Sequence, residues 1–283
     1  MKKTVAVIGA GTMGSGIALC AAQHGFKVIL LESNQAVLDK AIENIRLNLS
    51  QLVGKGKITG EQQTEILLNL TITTATNDCR ADLLIEAIIE KMDAKVNLFK
   101  ELAAINNPES IFASNTSSLS INELQKQIPN PERVAGLHFF NPAQLMKLVE
   151  VVQGEQTHAA IVDSLMEFCR HLGKTPVICK DAPGFIVNRV ARHYYLEAMK
   201  LVELNIASFE NVDEIMEASG FRMGPFKLMD LIGMDINLAV STSLYDAFHQ
   251  SPRFKPSPLQ IAKVKAGELG RKSGKGFYEY NVQ

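Results

Sequence analysis

Cysteine is scarce in this chain, with four in 283 residues. Cys20, Cys79, Cys169 and Cys179 form no C-x-x-C pair, and none has a histidine beside it. Disulfide frameworks and zinc sites need closer spacing patterns than these. The reading is of reduced, mostly buried thiols and no metal. An excess of charge of one sign is missing too. Lys plus Arg number 29 against 30 for Asp plus Glu, a net of −1, with no long basic run. That leaves no electrostatic case for nucleic acid. No apolar stretch approaches a membrane span, so no membrane partner is expected. Lys2-Lys3 ahead of an apolar run resembles the start of a signal peptide. The run breaks at Gly9, however, and no cleavage pattern follows, so a cytoplasmic protein is expected. Repeats and low-complexity tracts are absent as well. What remains is 46% hydrophobic and 21% charged, the balance of a globular protein of one large or two ordinary domains.

The most informative stretch comes first. Val5-Ala6-Val7-Ile8 leads into Gly9-Ala10-Gly11-Thr12-Met13-Gly14, and a helical pattern follows at once. This is G-x-G-x-x-G between a strand and a helix. Gly9 permits the tight turn, Gly11 lets backbone approach a pyrophosphate, and Gly14 permits close packing of the helix. The helix start, with Thr12 and Met13, offers unpaired N–H groups and a positive dipole end. A second apolar run, Val28–Leu31, ends in Glu32, eighteen positions after Gly14. A carboxylate there meets the ribose hydroxyls of an adenosine and repels a 2′-phosphate, which points to NAD. The plainer alternative is a solvated acid at a strand end.

Short apolar runs then alternate with helical patterns as far as about Lys180. Strands are expected at 4–8, 27–31, 71–73, 83–86, 111–113, 133–137, 148–152 and 175–178. Helices are expected at about 13–23, 35–52, 61–70 and 91–104. This is the rhythm of a parallel, doubly wound α/β sheet of the Rossmann type. The stretch from Gln35 to Leu70 reads as a helical hairpin standing off the sheet, with its turn at Gly54-Lys55-Gly56. After Asp181-Ala182-Pro183-Gly184 the strand rhythm stops, and the rest reads as helices, one of them capped by Ser208. The division expected is a dinucleotide-binding domain over 1–183 and an all-α domain over 184–283. Apolar faces on the latter suggest burial against a second copy of the chain.

Four polar positions stand in apolar or turn-forming surroundings. Ser117 lies in Asn115-Thr116-Ser117-Ser118, after a strand. His138 follows Val134-Ala135-Gly136-Leu137, at a strand's carboxyl end, where ligands bind in such sheets. Glu150 sits within Leu148-Val149-Glu150-Val151-Val152, a costly place for an unpaired carboxylate. Asn188 lies in Gly184-Phe185-Ile186-Val187-Asn188. A His138–Glu150 pair would offset that cost, fix one imidazole tautomer and leave the other nitrogen to take a proton. Each residue alone has a plainer explanation. His138 could be structural, Glu150 could point outward from an edge strand, and Ser117 and Asn188 could be cap or turn residues.

Together the segments resemble the 3-hydroxyacyl-CoA dehydrogenases. The resemblance is carried by Asn115–Ser120, by Gly136-Leu137-His138-Phe139-Phe140-Asn141-Pro142 and by Met146–Val151. Asp181–Arg189, Met223-Gly224-Pro225-Phe226 and Gly270–Tyr278 extend it nearly end to end, and the length is similar to the short 3-hydroxybutyryl-CoA form. The resemblance implies NAD as cofactor and an acyl-CoA substrate; the apolar helical faces lead to the expectation of a homodimer. It implies His138 as catalytic base with Glu150 as its partner, and Ser117 and Asn188 on the reacting oxygen. It implies Glu90, Lys95, Asn115 and Lys272 along the nucleotide, and Ser50, Lys55 and Lys57 toward coenzyme A. Glu32 stands where Asp is commoner and Lys227 where Glu is expected; Met234 and Tyr194-Tyr195 are also unusual. The implied reaction is reversible oxidation of L-3-hydroxyacyl-CoA. The alternatives are a 2-hydroxyacid or sugar-acid dehydrogenase, or a non-catalytic NAD-binding structural protein on the same fold.

Glu32 generates a first prediction. NADH is preferred over NADPH in steady-state assays, because the carboxylate repels a 2′-phosphate. Equal kcat/KM for the two would contradict that reading of Glu32.

Overall fold

A computed structural model of the chain describes residues 4–281. Two compact units meet in sequence between Ala182 and Pro183. The first is built on eight strands: β1 (Thr4–Ile8), β2 (Lys27–Leu31), β3 (Leu70–Thr73), β4 (Leu83–Glu86), β5 (Ile111–Ser114), β6 (Val134–Phe139), β7 (Leu148–Gln153) and β8 (Thr175–Lys180). They form one sheet in the order β3-β2-β1-β4-β5-β6-β7-β8. The first six strands follow the doubly wound order, with its switch point between β1 and β4. Its helices are α1 (Thr12–Gln23), α2 (Gln35–Gly54), α3 (Gly60–Leu68), α4 (Met92–Ile105), α5 (Ile121–Gln125) and α6 (Ala159–His171).

The sheet is not parallel throughout, as the strand rhythm suggests. β6 and β7 pair antiparallel, and β8 then runs parallel to β7. The reason is the link. A parallel crossover needs a dozen or more residues, and Phe140–Lys147 is shorter than that. The chain therefore turns straight back. The turn includes a cis peptide at Asn141-Pro142. From β7 to β8 the chain has room for α6, and the parallel direction returns.

Buried residues of β1, β2, β4 to β7, α1 and α6 make one continuous core. Val5, Val7, Leu30, Ile85, Leu137, Val149 and Val151 are all fully buried within it. Near-continuous apolar strands are what a sheet covered on both faces requires. The α2–α3 hairpin does not stand clear of this core. Leu38, Ala41, Ile45 and Leu49 of α2, at helical spacing, join it with Ile66 of α3. Only the far end projects, where Lys55 and Gly56 turn the chain and Thr59 caps α3 with a capping box.

The second unit holds α7 (Val187–Glu203), α8 (Phe209–Ala218), α9 (Pro225–Ile232), α10 (Met234–Ala247) and α11 (Pro258–Lys265). Tyr195, Met199, Val212, Phe226, Met229 and Met234 form its core. Two buried carboxylates tie it together. Asp213 accepts from the N–H groups of Phe226 and Lys227, opening α9, and from the Tyr278 hydroxyl. Asp230 accepts from the N–H groups of Phe277 and Tyr278. Lys227, unexpected after Met-Gly-Pro-Phe, bonds both carboxylate oxygens of Glu217 at 3.0 Å.

One glycine governs the strand pair that carries the site. Gly136 lies opposite Val152, and a Cβ at Gly136 would stand 2.7 Å from the Val152 Cβ and 3.1 Å from Ile121 Cδ1. Gly136→Ala should therefore destabilise by about 1–3 kcal/mol through overpacking. Val152→Ala in the same chain should restore part of the loss. Urea midpoints measure this, and a single variant as stable as the parent would contradict it.

Candidate active site

The carboxyl ends of β1, β4, β5 and β6 lie on one side of the sheet, and the loops leaving them carry most of the polar positions singled out above. At β1 the glycine loop has the geometry its spacing implies. Gly9 has φ of +101°, and a Cβ there would meet the Ala87 carbonyl oxygen at 2.6 Å. A Cβ on Gly14 would fall 1.8 Å from the Gly9 carbonyl oxygen. Around Gly11 the space is open, with nothing within 4 Å of its Cβ position. α1 begins at Thr12 immediately beyond, and its first N–H groups lack intrahelical acceptors. A tight turn, a bare backbone and an opening helix make a cradle that fits a pyrophosphate. Glu32 closes its side. Its carboxylate accepts from Ala10 N at 3.1 Å and from Asn34 N at 3.1 Å, so it braces the loop as well as edging the cradle.

At β6 the antiparallel register sets His138 directly opposite Glu150. His138 Nδ1 lies 2.7 Å from Glu150 Oε2. The Glu150 side chain is 1% exposed and that of His138 8%. β7 lies between β6 and β8, so Glu150 is not on an edge strand and does not point to solvent. A carboxylate so placed accepts a hydrogen bond from Nδ1–H and holds the ring. Phe140 packs on the imidazole, with ring centroids 4.4 Å apart. The backbone next to His138 is fixed from the residue just after β5, where Asn115 Oδ1 accepts from Phe139 N at 2.9 Å.

A second polar group organises the Ser117 loop. Glu90 Oε1 accepts from Ser117 N at 2.9 Å and Ser118 N at 3.3 Å, and from the Thr116 hydroxyl. Behind it stands Lys95, 1% exposed, whose Nζ lies 2.7 Å from Glu86 Oε1 and 3.1 Å from Glu90 Oε2. Glu86 is fully buried at the end of β4, where it also accepts from Ile88 N and the Ser114 hydroxyl, both at 2.7 Å. Burial by itself would raise the Glu90 carboxyl. Lys95 and the Thr116 and Ser117 donors outweigh it and hold the group below the ordinary carboxylate range. Lys95 is thus enclosed behind Glu90 instead of lining an open surface. Sequence reasoning missed Glu86. The signal was an acid closing the apolar run Leu83-Leu84-Ile85, the same feature that drew notice to Glu32.

Ser50, Lys55 and Lys57 are exposed together at the far end of the α2–α3 hairpin, where Ser50 Oγ accepts from Gln63. Asn188 and Lys272 belong to the helical unit, Asn188 in the first turn of α7 and Lys272 bonded to Asp235 at 2.6 Å. Among the described residues no group of His, Cys, Asp and Glu has the arrangement of a metal site, and no helix is long and apolar enough to cross a membrane.

A doubly wound sheet whose glycine loop opens directly into a helix, with a buried His–Glu pair on a neighbouring strand, has the fold and polar groups of the nucleotide-binding dehydrogenase class. Comparison with known proteins makes the assignment particular. Residues 4–182 match the family model for the 3-hydroxyacyl-CoA dehydrogenase NAD binding domain, and residues 184–280 match that for the C-terminal domain. The chain belongs to the 3-hydroxyacyl-CoA dehydrogenase family, and its first unit is that family's NAD-binding domain. It is 47% identical to a 3-hydroxyadipyl-CoA dehydrogenase of Escherichia coli, over 99% of this chain and 60% of that protein, so it spans under two thirds of that relative. It is 41% identical to a 3-hydroxybutyryl-CoA dehydrogenase of Clostridioides difficile, over 98% of this chain and 99% of the relative. The crystal structure of (S)-3-hydroxybutyryl-CoA dehydrogenase from Ralstonia eutropha superposes with a TM-score of 0.95 at 37% identity, each chain covered in full.

The buried ion group yields a prediction. Lys95→Met leaves Glu86 enclosed without its cation, which should cost about 3–5 kcal/mol. Lys95→Arg should lose less. Denaturant unfolding of the three proteins decides, and an unchanged midpoint for Lys95→Met would show that Lys95 does not hold Glu86.

Proposed function

We propose that the protein is an NAD-dependent dehydrogenase that reversibly oxidises L-3-hydroxyacyl-CoA to 3-oxoacyl-CoA. The observation that carries this reading is the His138–Glu150 pair, buried at 2.7 Å on the cradle's side of the sheet. The bound nicotinamide supplies the hydride acceptor for oxidation and the donor for reduction. The chain's own residues handle the proton and the positions. His138, with Nδ1–H directed at Glu150, takes the 3-hydroxyl proton on Nε2 as the C3–H bond is lost, and returns it in the reverse direction. Glu150 stabilises the imidazolium that results. Ser117 and Asn188 hold the substrate oxygen in line.

The nucleotide-side residues divide by what they touch. Gly9, Gly11, Thr12, Met13 and Gly14 receive the pyrophosphate, and Glu32 receives the ribose diol. Glu90 borders the nucleotide and sets the Ser117 loop. Lys95, being enclosed, is a positioning residue that acts through Glu90, and Asn115 acts through the Phe139 backbone. Lys272, which the family resemblance implies along the nucleotide, bonds Asp235 at 2.6 Å. The exposed Lys55 and Lys57, with Ser50, suit the phosphates of coenzyme A. In the proposed division, 1–183 binds the dinucleotide and 184–283 serves substrate binding and dimerisation. Val190, Ile206, Ile215 and Phe221 are half or more exposed in the helical unit, which supports a homodimer. A cytoplasmic location fits the reduced cysteines. A 2-hydroxyacid or sugar-acid dehydrogenase would commonly rely on a lysine in the second domain, whereas here Asn188 occupies the start of that domain. A non-catalytic NAD-binding protein would have no need of a buried His–Glu pair.

Turnover of acetoacetyl-CoA with NADH tests the reading. His138→Gln should keep NADH binding and lose about 10²–10⁴ in kcat. Glu150→Gln should also slow turnover and alter the pH profile of kcat/KM. Near-parental rates in His138→Gln, or an unchanged rate and profile in Glu150→Gln, would overturn the assignment.

A further inference from the structure

The helical unit encloses a cation that the proposed chemistry does not use. Arg192 is 2% exposed and lies four residues after Asn188 on α7, hence on the same helix face. Its three hydrogen bonds all leave from Nη1. They reach the Asn237 carbonyl at 2.9 Å, Asn237 Oδ1 at 3.1 Å and Ser241 Oγ at 2.7 Å. Gln260 of α11, fully buried, locks those acceptors by donating to Asn237 Oδ1 and to Ser241 Oγ. The Tyr195 ring centroid lies 5.1 Å from the guanidinium carbon. Every one of these partners is neutral. Among the described residues no carboxylate pairs with Arg192, and its Nε is buried with no hydrogen-bond partner.

This pattern is costly as architecture alone. A buried cation without an anion loses its hydration and gains no ion pair in return. Burial brings the Arg192 pKa down to about 10, so the group stays charged at neutral pH. The unused edge has a definite shape as well. A guanidinium binds a carboxylate through two parallel N–H groups. With Nη1 committed to α10, the edge that remains is Nε with Nη2, one of the two such forks on the side chain. The neutral network of Asn237, Ser241 and Gln260 holds the other edge, and so fixes the plane in which that fork lies.

We propose that this fork receives a carboxylate at the distal end of the acyl group, so that the enzyme's substrates are short 3-hydroxy dicarboxylic acyl-CoA thioesters. The inference rests on the reading above that Asn188 holds the reacting oxygen. Four residues of helix rise about 6 Å, and a short acyl chain with a terminal carboxylate spans such an interval. A terminal methyl group would leave the cation unpaired and gain nothing from it. Arg192 is therefore a specificity-determining residue, distinct from those that act at C3.

The experiment compares kcat/KM for 3-hydroxyadipyl-CoA and 3-hydroxybutyryl-CoA in the parent, Arg192→Met and Arg192→Lys. The parent should favour the adipyl substrate by about 10- to 100-fold, the range of one charge-assisted hydrogen-bonded pair. Arg192→Met should abolish the preference, chiefly through KM for the adipyl substrate. Arg192→Lys should keep part of it. A parent enzyme that does not favour the adipyl substrate overturns the proposal, whether or not the variants fold. So does a folded Arg192→Met that loses both substrates alike, which would make Arg192 a strut between helices. A parent that turns over neither substrate would instead overturn the dehydrogenase reading beneath it.

Discussion

The site depends on one constraint, the antiparallel pairing of β6 with β7. Because the link after Phe139 is too short for a crossover, β7 returns beside β6, and the register sets Glu150 across from His138. A carboxylate in that position would be intolerable without a donor. The imidazole supplies one at 2.7 Å. The same bond that makes the strand's sequence admissible also selects the tautomer that the proposed chemistry needs. Gly136, two residues before His138, is the complement of this arrangement, since a larger residue would press on Val152 and separate the strands.

Around that pair the structure places groups that act on one another before any ligand arrives. Glu86, Lys95 and Glu90 form a chain of charge from the buried end of β4 to the loop that bears Ser117. Asn115 ties the neighbouring loop to the backbone after His138. Glu32 fastens the glycine loop through Ala10 N. Such pre-formed bonds lower the ordering cost at the moment of binding, which is where positioning contributes to rate. The enclosed Lys95 shows how a residue in a nucleotide-side motif can serve by holding its neighbour.

Much of this was legible in the sequence because it rests on local rules. The strands Thr4–Ile8, Lys27–Leu31 and Leu83–Glu86 were read at their full extent, since short apolar runs bounded by turn residues leave little choice. The glycine loop was legible because each glycine answers a separate steric demand. Glu150 stood out because its neighbours are Val and Leu. The direction of β7 is not legible from apolar periodicity, which is the same in either direction; the length of the preceding link decides it. The hairpin reads as standing off the sheet because α2 mixes buried with charged residues, which hides the face formed by Leu38, Ala41, Ile45 and Leu49. Glu86 carries a local signal, an acid closing an apolar run, whereas Arg192 carries none. What local pattern does not reveal is the set of distant partners, Lys95 and Ser114 for Glu86 at 9 and 28 residues, and Asn237 and Ser241 for Arg192 at 45 and 49.

The central claim is that Glu150 holds His138 with its proton on Nδ1, leaving Nε2 to exchange a proton with substrate. Nitrogen-15 NMR of the histidine side chains reports the tautomer directly. With His138 assigned by its loss in His138→Gln, the account predicts a protonated Nδ1 and an unprotonated Nε2 in the neutral ring, a preference that weakens in Glu150→Gln. A neutral ring with its proton on Nε2, or a tautomer indifferent to Glu150, would contradict it.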